Sequence, residues 1–326
     1  MTGADNRTRY MNSPNLVVTG ASGFLGRHLV PVLEARYGKA RVTALSSSDY
    51  DLTDPAQVDL MFNERKPDVL IHLAAYVGGI GANREWPAKF FHRNTLLTCL
   101  AFEAAARHQI QKLVYPMGGC SYPAKATSPI GEDQMWQGYP QAESAAYSTA
   151  KKMGLVASDA YRQEFGLNSV VVIPGNMYGE FDNFRLKESH VVPALIRRFY
   201  EAKLNGAKEV VCWGTGRPTR DFVYAGDVAR LFPYFIENDV KESVNISSGV
   251  RTPIRELAET IKELTAFPGE LVWDTEKPDG QMDKIFDVTR LKALGLSCPT
   301  TLRTGLERTI EWFEKNAPSQ SDGLRM

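Results

Sequence analysis

Leu16-Val17-Val18-Thr19-Gly20-Ala21-Ser22-Gly23-Phe24-Leu25-Gly26-Arg27 decides the fold. A short apolar run, read as a strand over 15–19, enters a turn with glycines at 20, 23 and 26. A helical pattern over 26–36 leaves it. In such a turn Gly20 permits the sharp reversal, Gly23 lets the backbone approach a pyrophosphate, and Gly26 lets helix and strand pack closely. The helix start offers unpaired N–H groups and a partial positive charge to phosphate. Gly20, Ser22, Gly23, Phe24, Leu25, Gly26 and Arg27 are therefore the expected dinucleotide cradle. Three glycines alone are weak evidence; the strand before, the helix after and a second strand beyond supply the context.

Outward from the turn, strands are expected over 41–45, 68–73, 112–116 and 169–173, separated by helices over 57–65, 87–108 and 147–165. Alternating strands and helices imply an α/β fold, a Rossmann-type doubly wound parallel sheet with helices on both faces. After Gly175 the rhythm changes. A polar loop is expected over 176–189, then a helix over 190–205, a strand over 209–213 and a turn over 214–218. A helix over 253–264, a strand over 271–273, a turn-like run over 275–281 and a closing helix over 302–316 follow. This second part reads as a smaller C-terminal α/β substrate domain. The expected organisation is a flexible leader over 1–13, a dinucleotide-binding domain over 14–177 to which 222–248 returns, a substrate-binding domain over 178–221 and 249–318, and a flexible tail over 319–326.

Lysine plus arginine equals aspartate plus glutamate, so the formal net charge is zero, and no broad electrostatic pull toward nucleic acid or anionic membrane is expected. No stretch is long and apolar enough to span a membrane, and no targeting signal is legible, which favours the cytoplasm. Cys99, Cys120, Cys212 and Cys298 form no CxxC pair and no zinc spacing, so no metal site is expected; they read as reduced, mostly buried thiols.

In doubly wound dinucleotide folds an acid ending the second strand binds the 2′-hydroxyl of NAD. Here that strand ends Ala44-Leu45-Ser46-Ser47-Ser48, and the first carboxylate is Asp49. Hydroxyls of Ser46 and Ser47, with Arg27 after the last glycine, favour NADP(H) over NAD(H).

Tyr147-Ser148-Thr149-Ala150-Lys151 places a phenol and an ammonium at i and i+4, on one helix face. A neighbouring ammonium favours phenolate, so a lowered Tyr147 pKa is expected. Such a pair suits proton transfer to or from a sugar oxygen while hydride moves at a nicotinamide.

At this point the chain resembles the extended short-chain dehydrogenase/reductases. The resemblance rests on Thr19–Gly26, Tyr147–Lys151, His72-Leu73-Ala74-Ala75 and Asn94. Within that family it is most similar to the branch of GDP-4-keto-6-deoxymannose epimerase/reductases, from about Leu16 to Trp312. Further matching runs are Tyr76–Ile80, Cys120–Pro123, Asn176–Gly179, Phe181–Phe184, Ser189–Leu195, Trp213–Gly216 through Arg220, and Lys277–Gly280. The resemblance implies a Rossmann domain with a small C-terminal domain, a nucleotide-sugar substrate and a homodimer through the helices over 87–108 and 147–165. It adds Leu73, Ala74, Ala75, Asn176, Tyr147 and Lys151 to the cofactor site.

It also implies roles for Cys120 and His190. A 4-keto sugar has acidified protons at C3 and C5; a thiolate can remove one and an imidazolium can return one from the other face. Asn176, Arg198, Trp213, Arg220 and Asp279 are the implied substrate contacts. Arginine suits a diphosphate, tryptophan a sugar or base, and a carboxylate ribose hydroxyls.

One position departs from the family. Where it has a serine that donates to the sugar oxygen, this chain has Gly118, followed by Gly119. Loss of such a donor reduces rate by ~100-fold or more. Three readings stay open. In the first, Ser121, Ser148 or a water substitutes, with the glycines making room for a bulkier sugar such as a heptose. In the second, the chain is an NAD-dependent 4-epimerase. In the third, it is a non-catalytic nucleotide-sugar or dinucleotide-binding protein.

Overall fold

The computed structural model describes residues 14–185 and 189–317. The expected leader at 1–13 and tail at 319–326 lie outside the described residues. The dinucleotide turn links strand β1 (Leu16–Thr19) to helix α1 (Phe24–Tyr37), which starts two residues before the expected Gly26. Every residue of β1 is buried, as a parallel strand covered on both faces must be. Next come β2 (Val42–Leu45) and α2 (Pro55–Arg65). Asp54 caps α2 by accepting from the Ala56 N–H, and Pro55 occupies its first turn, where no N–H partner is needed.

β3 (Val69–His72) is followed by α3 (Ile80–Glu85), a short helix that no periodicity announced. The long helix α4 (Pro87–Arg107) leads to β4 (Lys112–Pro116), and α5 (Ala145–Phe165) leads to β5 (Ser169–Pro174). Gly154 of α5 lacks room for a β-carbon, which would lie 2.3 Å from Tyr115 Cε1. That glycine lets α5 press onto β4, and so fixes how its earlier residues Tyr147 and Lys151 meet the sheet.

The polar stretch 176–189, expected to be loop throughout, contains β6 (Asn176–Tyr178). Then follow α6 (Val191–Leu204), β7 (Glu209–Trp213), β8 (Thr219–Arg220) and β9 (Phe222–Tyr224). β6 and β9 pair in parallel, a tertiary partnership that gives a polar three-residue segment its strand geometry. α7 (Ala225–Glu237) packs on α1, and β10 (Val244–Ile246) joins the sheet beside β5. The chain closes with β11 (Thr252–Pro253), α8 (Ile254–Leu264), β12 (Glu270–Asp274), β13 (Asp283–Lys284), α9 (Thr289–Ala293) and α10 (Leu302–Asn316).

The main sheet has the order β10-β5-β4-β3-β1-β2, and each neighbouring pair is parallel. The chain reverses direction of growth at β1 and β3, and the carboxyl ends of these strands border the crevice where a doubly wound fold binds its ligand. One apolar layer joins Leu16, Val18, Leu29 and Leu33 to Val228, Phe232 and Phe235 beneath α1 and α7. On the opposite face Val17, Leu70, Phe102, Leu113 and Tyr115 pack under α2, α4 and α5. A third core, with Ile196, Phe199, Leu257, Ile261 and Ile310, belongs to α6, α8, α10 and their strands. No helix among the described residues is long and apolar enough to cross a membrane.

Candidate active site

The glycine turn lies over the end of β3. Gly20 adopts φ +68°, and a β-carbon there would meet Ala74 N at 2.8 Å. Gly26 is closed in too: its β-carbon would lie 2.5 Å from the Ala21 carbonyl oxygen. Gly23 has only the Gly20 oxygen near it, at 3.1 Å, and together with Ser22 is exposed. No side chain caps α1. Exposed backbone, open space above Gly23 and an uncapped helix start fit a dinucleotide diphosphate. Leu73 and Ala74 donate their N–H groups to the Thr19 carbonyl and hydroxyl, and Ala75 continues the half-buried segment beneath the turn. The guanidinium of Arg27 lies over the Phe181 ring at 4.4 Å, and its Nη1 is buried without a hydrogen-bond partner.

At the end of β2, Asp49 folds back. Its Oδ2 accepts from the Ser46 N–H at 2.7 Å and the Ser46 hydroxyl at 2.8 Å. The strand end that looked free of acid in sequence therefore carries a carboxylate. Ser46 also contacts Ser48 at 2.7 Å, while Ser47 is exposed.

On the same edge of the sheet, β4 runs into the one-turn segment Gly119–Ser121. A β-carbon on Gly118 would lie 3.1 Å from Cys120 Sγ and 4.0 Å from Tyr147 Cε1, so the thiol and the phenol flank one small space. Lys151, one turn along α5 from Tyr147, holds its ammonium 3.9 Å from the Tyr115 ring centroid. Desolvation drives Lys151 down to about 7, partly opposed by the charge of Cys120. The Tyr147 phenol is pushed up, not down: burial comes first, and the charges of Cys120 and Tyr115 add to it. The expectation of a lowered Tyr147 pKa is thus overturned: Lys151 is buried and stacked on Tyr115, and desolvation of the half-buried phenol decides the direction.

Ser121 donates to the Ser148 carbonyl at 3.1 Å and is fully buried. It cannot serve as the substitute donor considered from sequence. Ser148 is buried too, its hydroxyl turned to Ser144 at 3.4 Å. Tyr122 of the same run donates to Asn245 Oδ1 at 2.6 Å and anchors the segment to β10. The cysteines also differ from expectation, since Cys212 alone is buried and Cys99 is exposed on α4.

His190 sits just before α6 and its backbone carbonyl accepts from Ala194. Its imidazole is reached by solvent, yet the surrounding protein holds its pKa below the usual histidine value.

At the far end, Arg198 Nη2 donates to the Val211 carbonyl, and Arg220 Nη1 donates to the Thr219 and Gln281 carbonyls at 2.8 and 2.6 Å. Asp279 accepts from the Thr215 N–H at 2.8 Å and hydroxyl at 2.7 Å. Its immediate task is to pin the turn that follows Trp213, and these bonds hold its pKa below the usual carboxylate value. Trp213 is 72% exposed and so belongs to no core. Asn176 donates to the Asp221 carbonyl at 2.9 Å. Among the described residues no cluster of His, Cys, Asp and Glu is placed to hold a metal ion.

The pattern of the NAD dependent epimerase/dehydratase family matches residues 16–247. The chain belongs to this family. GDP-L-fucose synthase 1 of Arabidopsis thaliana is 39% identical over 305 residues, covering 93% of this chain and 94% of that protein. A GDP-L-fucose synthetase from Naegleria fowleri, solved bound to NADP, superposes with a TM-score of 0.86 at 26% identity, covering 98% of this chain and 99% of that one. A GDP-mannoheptose C4 reductase from Campylobacter jejuni, solved with NADP, gives 0.84 at 28% identity over 94% of this chain and all, 100%, of that one. Sequence reasoning missed Phe286, the ring on which Gly119 is seated. No motif spacing marks it, because it follows the two-residue strand β13, which is held by tertiary pairing with β8.

Proposed function

We propose that this chain is an NADP(H)-dependent epimerase/reductase of a GDP-linked 4-keto sugar. The observation that carries the reading is the approach of Cys120 and Tyr147 to one space, with Lys151 one turn along α5 from the phenol, at the end of the sheet that also bears the glycine turn. The relatives named above, which act on GDP-fucose precursors and GDP-mannoheptose by their names, support the substrate class.

The residues of the turn and Lys151 would hold the dinucleotide, which supplies hydride to the sugar C4. Tyr147, held protonated by desolvation, gives its proton to the C4 oxygen as the alcohol forms. Before that step, Cys120 removes a proton next to the ketone and His190 returns one from the opposite face, inverting the carbon with no change in redox state. Arg198 and Arg220 meet the diphosphate, and Trp213 covers the base or sugar. With no side chain at Gly118, the space beside Tyr147 takes a water or a bulkier sugar substituent.

Incubation with a GDP-4-keto-6-deoxy sugar and NADPH tests this: absorbance at 340 nm falls as the ketone is reduced. Absence of NADPH consumption with hexose and heptose 4-keto substrates alike would end the reading. One observation favours NAD(H) as a second reading of the cofactor, namely Asp49 at the end of β2, because a carboxylate there suits a free 2′-hydroxyl. The apolar side chains left exposed on α4 and α5, Phe91, Met153, Val156 and Phe165, support a homodimer through these helices.

A further inference from the structure

Arg27 is a cation with no acceptor. Among the described residues its guanidinium makes no hydrogen bond and no ion pair, and its Nη1 is shut off from water. A buried N–H group left without an acceptor is unfavourable, and an anion relieves it. The residue stands one helical turn after Gly23, to whose carbonyl its backbone N–H donates at 3.0 Å. Side chains on a helix lean toward its N-terminus, so the Arg27 guanidinium is carried back toward the exposed Gly23 and the uncapped helix start.

Phe181 holds it there. The guanidinium lies 4.4 Å from that ring's centroid, within cation–π range. Phe181 adopts φ +68°, a left-handed backbone that a bulky side chain rarely takes. The conformation directs its ring among Arg27, His28 at 5.4 Å and Trp312 of α10 at 5.1 Å, the last two edge-on. The backbone is fixed on either side. His28 Nε2 donates to the Glu180 carbonyl at 2.9 Å, and Arg197 of α6 donates to the Phe184 carbonyl at 3.2 Å. The end of β2 meets the turn elsewhere, through Ala21, whose N–H donates to the Leu45 carbonyl at 2.9 Å. The Arg27 guanidinium shares no hydrogen bond with Ser46, Ser47 or Asp49, the residues beside the expected 2′-group.

We propose that Arg27 binds the diphosphate of the dinucleotide, and that Phe181 is the positioning residue that holds the guanidinium ready for it. The inference rests on the dinucleotide part of the function proposed above and changes the role expected of Arg27. The diphosphate is common to NADP(H) and NAD(H), so Arg27 helps to hold either and does not choose between them. Arginine suits this ligand, since its planar fork bonds two phosphate oxygens at once. Phe181 acts through Arg27: it offers the guanidinium a ring face from the segment between β6 and α6, and supplies no hydrogen-bond donor of its own.

Calorimetric titration of the purified protein with NADP+ and with NAD+ tests this without any sugar. Arg27→Met weakens both nucleotides about tenfold and leaves their ratio within about twofold of wild type. Phe181→Leu weakens both about threefold, while Phe181→Tyr, which keeps the ring, binds as wild type. In an Arg27→Met background Phe181→Leu adds nothing further, because its effect runs through the guanidinium. Arg27→Gln and Phe181→Met serve where these variants do not fold. A loss confined to NADP+, or no loss for either nucleotide, overturns the diphosphate assignment. An equal Phe181→Leu effect with and without Arg27 overturns the positioning role and leaves Phe181 a packing residue. NADPH consumption by the wild type with a GDP-4-keto-6-deoxy sugar is measured in parallel. No consumption, with both nucleotides weakened in Arg27→Met, removes the epimerase/reductase reading and leaves Arg27 on the diphosphate. Consumption with unchanged binding by Arg27→Met removes this inference alone. A wild type that binds neither nucleotide ends both.

Discussion

Gly118 faces Cys120 across a gap that one methyl group would nearly close: a β-carbon there would sit 3.1 Å from Sγ. The Gly118 backbone, φ −82° and ψ 145°, is one that any residue adopts. Glycine is therefore a matter of space beside the reacting groups, not of chain conformation. Gly119 is the opposite case, since Phe286 already fills the volume of its missing side chain.

Gly118→Ser accordingly folds with a stability change under about 1 kcal/mol and raises the rate of NADPH-linked ketone reduction of a hexose substrate by about tenfold or more. Gly119→Ser is destabilised by about 1–3 kcal/mol through overpacking. Denaturant titration and a 340 nm assay separate the two. A Gly118→Ser enzyme slower than wild type on a hexose would show that the space is required by the substrate.

Tyr147→Phe removes the proton donor without altering the packing on Phe90, whose ring lies 6.3 Å away edge-on. Reduction falls by about 100-fold or more, with nucleotide-sugar binding retained within about threefold. Stopped-flow reduction and calorimetric binding read the two quantities; parallel loss of both would mean that Tyr147 serves the fold.

Lys151 predicts a pH dependence of stability. Its folded value, about 7, lies below the ordinary lysine value of 10.5. Between these values the unfolded chain binds the proton and the folded one does not, so this group's contribution to stability rises with pH from about 7 and levels off near 10.5. In urea titrations the advantage of Lys151→Met over wild type is greatest below pH 7 and narrows by at most about 1.4 kcal/mol per pH unit above it. A constant difference from pH 6 to 9 would mean that Lys151 stays charged in the fold.

Asp49 bears on the choice of dinucleotide. Asp49→Asn removes a negative charge beside the expected 2′-position and raises the preference for NADPH over NADH by about 5–10-fold, measured as the ratio of Kd values from nucleotide fluorescence. An unchanged ratio would place the 2′-group away from the end of β2.

For the proposed dimer, Phe91→Glu combined with Val156→Glu puts charge on the exposed face of α4 and α5. Sedimentation velocity then shows a monomer where the wild type sediments as a dimer. Equal masses for the two proteins would sink the helix-to-helix interface.

The glycine turn, the parallel sheet and the two long helices were legible in the chain because their signals are local: glycine spacing, apolar periodicity, and turn residues between them. Even there the limits show. α3 carries no apolar repeat of its own, and β6 is polar and becomes a strand only because β9 pairs with it. The candidate chemistry of Tyr147, Lys151, Cys120 and His190 was likewise readable as residue types, but their state was not. A phenol and an ammonium one turn apart read as a pair with a lowered phenol pKa, whereas the fold buries the ammonium against Tyr115 and desolvates the half-buried phenol.

What sequence alone determined here is the dinucleotide turn and the presence of acid–base groups at motif positions, since both follow from short-range order. Tertiary structure decided which groups act on which. It brought Asp49 back onto Ser46, gave Asp279 to Thr215, withdrew Ser121 from the site and seated Gly119 on Phe286 across some 170 residues. The physical reason is that charge and hydrogen bonding depend on distance and desolvation in space, and neither has a period along the chain.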